Sequence, residues 1–325
     1  MTRRVAIIVG IIIFFALLVY ICFLDTINYR PVMAAFSNLL MRSDTVFIIW
    51  YIRFLAYMLI GAGYGFLVHL VPLIRTNGKW VYNWKKAILW GWLPILLPIW
   101  FTLYYQGIVG FMPVHLLRGV PNIPLYNIMG FLLGSSLTAC LKKSTAPAKS
   151  MKKVYPYNSL AYRITKYFMK ECCLTKKRVA TIICVFVFYA LLILVCASDV
   201  INFQRVLALF SNHNIRSVFI VALWYYRFLV YVLLGAGYGF VVHTLPVIKT
   251  HGEWRYDWRT AILWGILPAL MPIWFTLYYQ GIVSFMPVHL LRGVPNIPLY
   301  NIMGLILGIT LISCLKKQRY GCNSV

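Results

Sequence analysis

The chain has 325 residues, 62% of them hydrophobic, with a mean hydropathy of +0.79. Soluble domains hold roughly 45–50% apolar residues, so an excess carried in long uncharged runs excludes an ordinary soluble globule and points to a membrane protein. The net charge of +25 comes from 31 Lys and Arg against six acids. No motif interleaves the aromatic residues with these bases, which sets nucleic acid aside and assigns the charge to an anionic lipid leaflet.

Arg3 and Arg4 precede an apolar run at 5–24. At about 20 residues it is too long for a signal-peptide core of about 7–15 residues, and no A-x-A site follows it. It reads as a retained first span, ended by Asp25. A connector with Arg30, Pro31 and Arg42 leads to a second apolar run at 46–74, which carries Arg53, Gly61, Gly65 and His69. At about 100° per residue, Trp50, Arg53, Tyr57, Ile60 and Tyr64 share one stripe. Gly61 and Gly65 share another, spaced to let a neighbouring helix approach closely. The connector RTNGKWVYNWKK, with Trp80, Tyr82 and Trp84 among lysines, reads as an interfacial anchor.

The third apolar run, 87–105, contains Pro94 and Pro98. Each removes a backbone donor and predicts a kink; in lipid these prolines must face protein. The run breaks at Gln106-Gly107, passes Pro113, His115, Arg118 and Pro121, and resumes as a fourth run at 124–141. The break forms either an outer loop or a re-entrant hairpin. Residues 144–177 are a polar, basic linker in which 158–173 has the pattern of an amphipathic helix on lipid headgroups.

The whole pattern then returns. Arg4 to Lys143 aligns without gaps on Arg178 to Lys317 at an offset of 174. The match is uneven: about 9 of 21 positions agree in the first run, and about 32 of 33 in the segment from Pro98 to Gly130, where only Gly110 changes, to Ser284. Lipid-facing surfaces need only be apolar and can drift. A segment held nearly letter for letter is under a tighter physical demand.

One set of connectors and termini holds about 23 Lys and Arg; the other holds about six, Arg30, Arg42 and Arg118 with Arg205, Arg216 and Arg292. Both halves show the same asymmetry, so each crosses the bilayer an even number of times. The expected fold is an all-α polytopic membrane protein, a tandem duplication of a four-helix transmembrane unit with parallel repeats, eight spans and both termini cytoplasmic. The units are 1–143, the linker 144–177, 178–317, and a polar tail at 318–325. The expected location is the plasma membrane, or the cytoplasmic membrane of a bacterium.

Candidate chemistry lies in the basic and polar residues of the apolar runs. Arg53 and Arg227 sit about seven residues, or about 10 Å, inside the outer ends of their helices, where an arginine can serve an anion site. Arg118 with His115, and Arg292 with His289, could hold a phosphate or carboxylate through arginine's forked donors. Gln106, Gln280, Asn122 and Asn296 would add polar contacts, as would Asn127. His69 and His243 read as packed, hydrogen-bonding residues rather than ligands. No acid falls within a span, and no H-E-x-x-H, G-x-x-x-x-G-K or C-x-x-C motif occurs among these residues or the eight cysteines, so no cofactor, metal or catalytic residue is assigned. The leading expectation is transport or binding of a small anion, or a lipid with an anionic headgroup, at outward-side arginines between the repeats. The alternative is a non-transporting scaffold or assembly factor that binds lipid or a protein partner through its basic cytoplasmic face. An enzyme acting on a lipid headgroup is a third.

Overall fold

The structure, a computed structural model, describes residues 5, 8–22, 24, 44–71, 78–110, 123–144, 179, 181–196, 198, 217–245, 248, 252–284 and 297–318. It is mostly helical. Among the described residues, three helices are long and apolar enough to cross a membrane: Tyr51–Leu70, Trp224–Thr244 and Trp258–Tyr278. The linker helix expected at 158–173 lies outside the described residues.

In chain order, helix α1 covers Ile8–Cys22. Helix α2 covers Asp44–Gly65 and continues through one wide π-helical turn, Phe66–Leu70. Strand β1 (Lys79–Tyr82), helix α3 (Trp84–Tyr105), helix α4 (Ile123–Ala139) and strand β2 (Leu141–Ser144) follow. Each then has a counterpart 174 residues on. These are α5 (Thr181–Cys196), α6 (Ser217–Gly239) with its π turn Phe240–Thr244, β3 (Glu253–Tyr256), α7 (Trp258–Tyr279), α8 (Ile297–Ser313) and β4 (Leu315–Gln318).

Burial separates the helices into two kinds. α4 and α8 are enclosed over most of their length: Leu125, Ile128, Phe131 and Leu132, like Leu299, Ile302, Leu305 and Ile306, have no exposed surface. α1, α2, α3 and their counterparts bury one face and leave the other apolar and exposed, as at Ile12, Leu59 and Ile88. An apolar outer surface around a dry centre suits a hydrocarbon surrounding.

Glycine sets the closest contact. α2 and α4 run parallel and meet backbone to backbone. A Cβ at Gly61 would fall on the Phe131 carbonyl, and one at Gly134 on the Met58 carbonyl. The second half repeats this with Gly235 against Leu305 and Gly308 against Val232. The sequence pattern identified Gly61 and Gly65; the facing pair, Gly130 and Gly134, completes the seam.

Helix α3 ends where sequence places the break. Gly107 has φ 75°, a left-handed turn that glycine adopts without a Cβ clash. Ile108 N–H then closes back on the Leu103 carbonyl at 3.0 Å, and Gly281 (φ 73°) ends α7 in the same way. The prolines face protein as expected: Pro94, Pro268 and Pro272 are buried and Pro98 is half-buried. Thr102 and Tyr51 hydroxyls donate to the Pro98 carbonyl at 3.1 and 3.2 Å.

The all-α expectation needs one correction. The segment read as an interfacial anchor contains strand β1, which pairs antiparallel with β2; β3 pairs with β4 in the same way. Each ribbon ties the start of one helix to the end of another, finishing in an Asn83 N–H to Cys140 carbonyl bond, or Asp257 to Cys314, both 2.9 Å. Asn83 Oδ1 then caps α3 at the Lys86 N–H, 3.1 Å, and Asp257 caps α7 at Thr260, 3.2 Å. Partial burial alone would raise the Asp257 pKa; hydrogen bonds from Lys316 and Thr260 outweigh it and hold the carboxyl below its usual range.

Placing a methyl group in the glycine seam forces two backbones apart. Gly134→Ala and Gly308→Ala should each cost about 1–3 kcal/mol, as overpacking does. Gly110→Ala, in open space, should cost nothing measurable. Thermal unfolding in detergent micelles measures all three.

Candidate functional site

Among the described residues, Arg53 is the one buried charged side chain, 8% exposed. It shares its helix stripe with Tyr57, Ile60 and Tyr64, all buried. The glycine seam sets what lies beside it. Gly130 sits under the Phe54 carbonyl, so Asn127, one turn earlier on the parallel α4, lies within a helical turn of Arg53's level. Asn127 is 1% exposed, and so is Tyr126 next to it. A guanidinium and a carboxamide therefore occupy the same layer of an otherwise apolar helix pair.

Arg227 holds the matching place on α6 but is only half-buried. Its guanidinium carbon stands 5.3 Å from the centre of the Trp224 ring, within cation–π range. Trp224 in turn touches Tyr300 at 5.1 Å and Phe275 at 5.4 Å. Asn301, the counterpart of Asn127, is buried to 1%. The sequence pointed to both arginines and to Asn127; the aromatic wall of Trp224, Phe275 and Tyr300 is visible only once α6, α7 and α8 are packed.

The other predicted residues divide in two. Gln106 and Gln280 are described and exposed, at the ends of α3 and α7. Arg118, Arg292, His115, His289, Asn122 and Asn296 lie outside the described residues. Arg53 and Arg227 each belong to their own helix pair, α2 with α4 and α6 with α8.

The contact between halves is of a different kind. Trp264 packs on Phe14, Phe15 and Tyr64 of the first half, at 5.8, 6.1 and 5.4 Å. Trp90 packs on Phe188, Tyr189 and Tyr238 of the second, at 6.1, 6.1 and 5.1 Å. Hydrogen bonds follow the same exchange. Tyr64 and Thr310 hydroxyls are 3.1 Å apart, while the Tyr238 hydroxyl lies 2.7 Å from that of Ser136 and 3.1 Å from that of Ser135. Tyr189 O–H donates to the Trp90 carbonyl at 2.8 Å.

At one end of this seam the π turns bring His69 and His243 face to face, ring centres 4.5 Å apart and planes 29° from parallel. Each imidazole belongs to a π turn, a wide turn frequent at functional sites. Lys86 reaches across to donate to the Val242 carbonyl at 3.3 Å. His243 Nε2 and Thr244 Oγ1 are buried with no hydrogen-bond partner among the described residues. The histidines are packed, as the sequence suggested, but against each other, and His243 Nε2 makes no hydrogen bond among the described residues. Among the described residues no three His, Cys, Asp or Glu side chains converge as a metal site would need.

Comparison with protein-family models, with curated proteins and with solved structures gives no match. The residues and their geometry therefore carry the functional reading.

The exchanged hydroxyl bonds are open to a direct test. Tyr64→Phe and Tyr238→Phe should each destabilise by about 0.5–1.5 kcal/mol, the usual worth of a buried hydrogen bond. Tyr238→Phe should cost more, since its hydroxyl meets two serines. Thermal unfolding of the purified variants in micelles reads the difference, and equal stability with the parent chain would remove these bonds from the account of the seam.

Proposed function

We propose that the chain is a polytopic membrane protein built by tandem duplication: two like-oriented four-helix halves, eight spans, both termini in the cytoplasm, residing in the plasma or bacterial cytoplasmic membrane. The constant offset of 174 between matched elements supports this, as does the shared Lys and Arg asymmetry of both halves. We further propose that each half binds a small anion or an anionic lipid headgroup at its intramembrane arginine, Arg53 or Arg227. Arg118, Arg292, His115, His289, Asn122 and Asn296 would complete the sites from the outer side.

The observation that carries the functional reading is the burial of Arg53, 8% exposed, in a helix apolar enough to span a bilayer. Such a charge costs roughly 2.5–3.5 kcal/mol at a helix centre on insertion scales, less at Arg53 near the helix end, and by default marks a binding site or pathway. Asn127 at the same level adds a second donor. The two sites are separate, one per helix pair, and not a single pocket between the halves. The described part of the seam is filled by Trp90, Trp264 and their partners, which favours binding over passage along that line.

The scaffold reading draws on a different observation. The ribbons gather lysines and arginines at the same end as the π turns, a surface suited to anionic lipid or an acidic partner.

Replacing Arg53 and Arg227 with Gln separates the readings. Purified protein in phosphatidylcholine vesicles, with and without phosphatidylglycerol, is assayed for chloride and inorganic phosphate release and for retained phosphatidylglycerol. Removing a charge-assisted contact worth about 1.5–3 kcal/mol should weaken binding or flux at least about tenfold, with Arg→Lys variants intermediate. Unchanged binding and flux in folded Gln variants would make both arginines structural and leave the scaffold reading.

A further inference from the structure

At the lysine-rich end, ribbon β1–β2 and the first turn of α3 enclose a groove of about 580 Å³. Tyr82, Asn83, Trp84, Lys85, Lys142 and Lys143 line it. Lys85 and Lys142 are among its lining residues, and neither the ribbon nor the first turn of α3 contains an acid. Lys143 also stands 4.9 Å from the Trp80 ring, which fixes its stem along the ribbon.

The second half shows what this arrangement recruits when it supplies its own anion. Asn83 is replaced there by Asp257, and Lys142 by Lys316. The Lys316 amine meets the Asp257 carboxylate at 2.6 Å, and the Thr260 hydroxyl donates to the same oxygen at 2.9 Å. Lys79 is likewise replaced by Glu253, 3.9 Å from Arg255. The carboxylate thus sits where an external anion would sit in the first half. Asn83 keeps the helix cap and omits the charge.

The surface below the groove indicates the source of that anion. Trp84, Ile88, Ile95 and Ile99 follow one another along one face of α3, and all are exposed. Their spacing of four, seven and four residues keeps them within one stripe of the helix. A free phosphate has no use for an apolar track leading away from its amines; an acyl chain does.

We propose that this groove is a headgroup site for an anionic phospholipid. Its phosphate is held by Lys85 and Lys142, and an acyl chain lies along Trp84, Ile88, Ile95 and Ile99. The equivalent position in the second half is closed to such a lipid by Asp257. The inference rests on the membrane reading but not on the intramembrane arginines, so the Arg53→Gln/Arg227→Gln protein should bind at the groove as the parent chain does.

The test counts phosphatidylglycerol molecules retained per chain by native mass spectrometry of the full chain in detergent, after incubation with phosphatidylglycerol or phosphatidylcholine. The parent chain, with both arginines already changed to Gln to silence the other proposed sites, should retain one phosphatidylglycerol and no phosphatidylcholine. Lys85→Gln and Lys142→Gln should each weaken retention about fivefold, the worth of one lysine near an anionic headgroup. Asn83→Asp supplies the internal anion and should abolish retention while folding normally, since Asp257 already serves the same cap. Asp257→Asn should add a second retained lipid. Retention by Asn83→Asp equal to the parent's would overturn the site, and an unchanged count in Asp257→Asn would overturn the closure assigned to the second half. Displacement of the lipid by equimolar inorganic phosphate would overturn the lipid assignment in favour of a soluble phosphate.

Discussion

Two apolar helices in a bilayer gain little by touching each other rather than lipid, because acyl chains are as apolar as leucine. What draws α2 onto α4 is that both lack side chains along the line of contact. Gly61 and Gly65 on one helix face Gly130 and Gly134 on the other, and the backbones close to a distance no Cβ allows. That contact fixes the axial level of the pair to within a fraction of a turn. It is why most of α4 is enclosed, why Asn127 comes level with Arg53, and why Trp224, beside the Arg227 guanidinium, also packs on Tyr300.

The seam between halves follows from the same economy of surface. With α4 and α8 central, one buried tryptophan of α3 and one of α7 cross to the other half. Each packs on the other half's aromatic residues: Trp90 on Phe188 and Tyr238, Trp264 on Phe14 and Tyr64. Tyr64 and Tyr238 exchange hydroxyl partners in the same sense. The stacked His69 and His243 are then a natural meeting of matched residues, each paired with its own counterpart.

This exchange explains what sequence could and could not supply. Helix positions, the Gln106-Gly107 stop, the protein-facing prolines and the buried stripe through Arg53 all follow from local pattern: periodicity, a left-handed glycine, a missing donor. The partner of Trp90 does not, because a near-repeating chain reads identically whether the tryptophan packs in its own half or in the other. The ribbons were hidden for a different reason. Their strands are short, far apart in the chain, and rich in lysine and tryptophan, a composition that also suits a headgroup anchor. For the arginines, a charge in an apolar run was enough to find Arg53, whereas the aromatic wall beside Arg227 depends on three helices brought together by packing alone.

The halves agree where backbones touch and differ where charges meet water. The glycine seam and the helix-ending glycines are the same in both, since any side chain there would push neighbouring helices apart or strain a turn. At the ribbons and the turns that follow, charge changes at four pairs, Lys79 with Glu253, Val81 with Arg255, Asn83 with Asp257, and Lys86 with Thr260. Each substitution preserves the local backbone: Asn83 and Asp257 cap their helices through the same oxygen at 3.1 and 3.2 Å. What changes is the field. One ribbon end presents lysines without a carboxylate, and the other balances some of its charge internally through Asp257 and Lys316. A frame that keeps its seam glycines while these end positions vary lets two matched units carry different electrostatic surfaces at the ribbon end. Six ribbon and first-turn positions differ in all, and the fold stays the same beneath them.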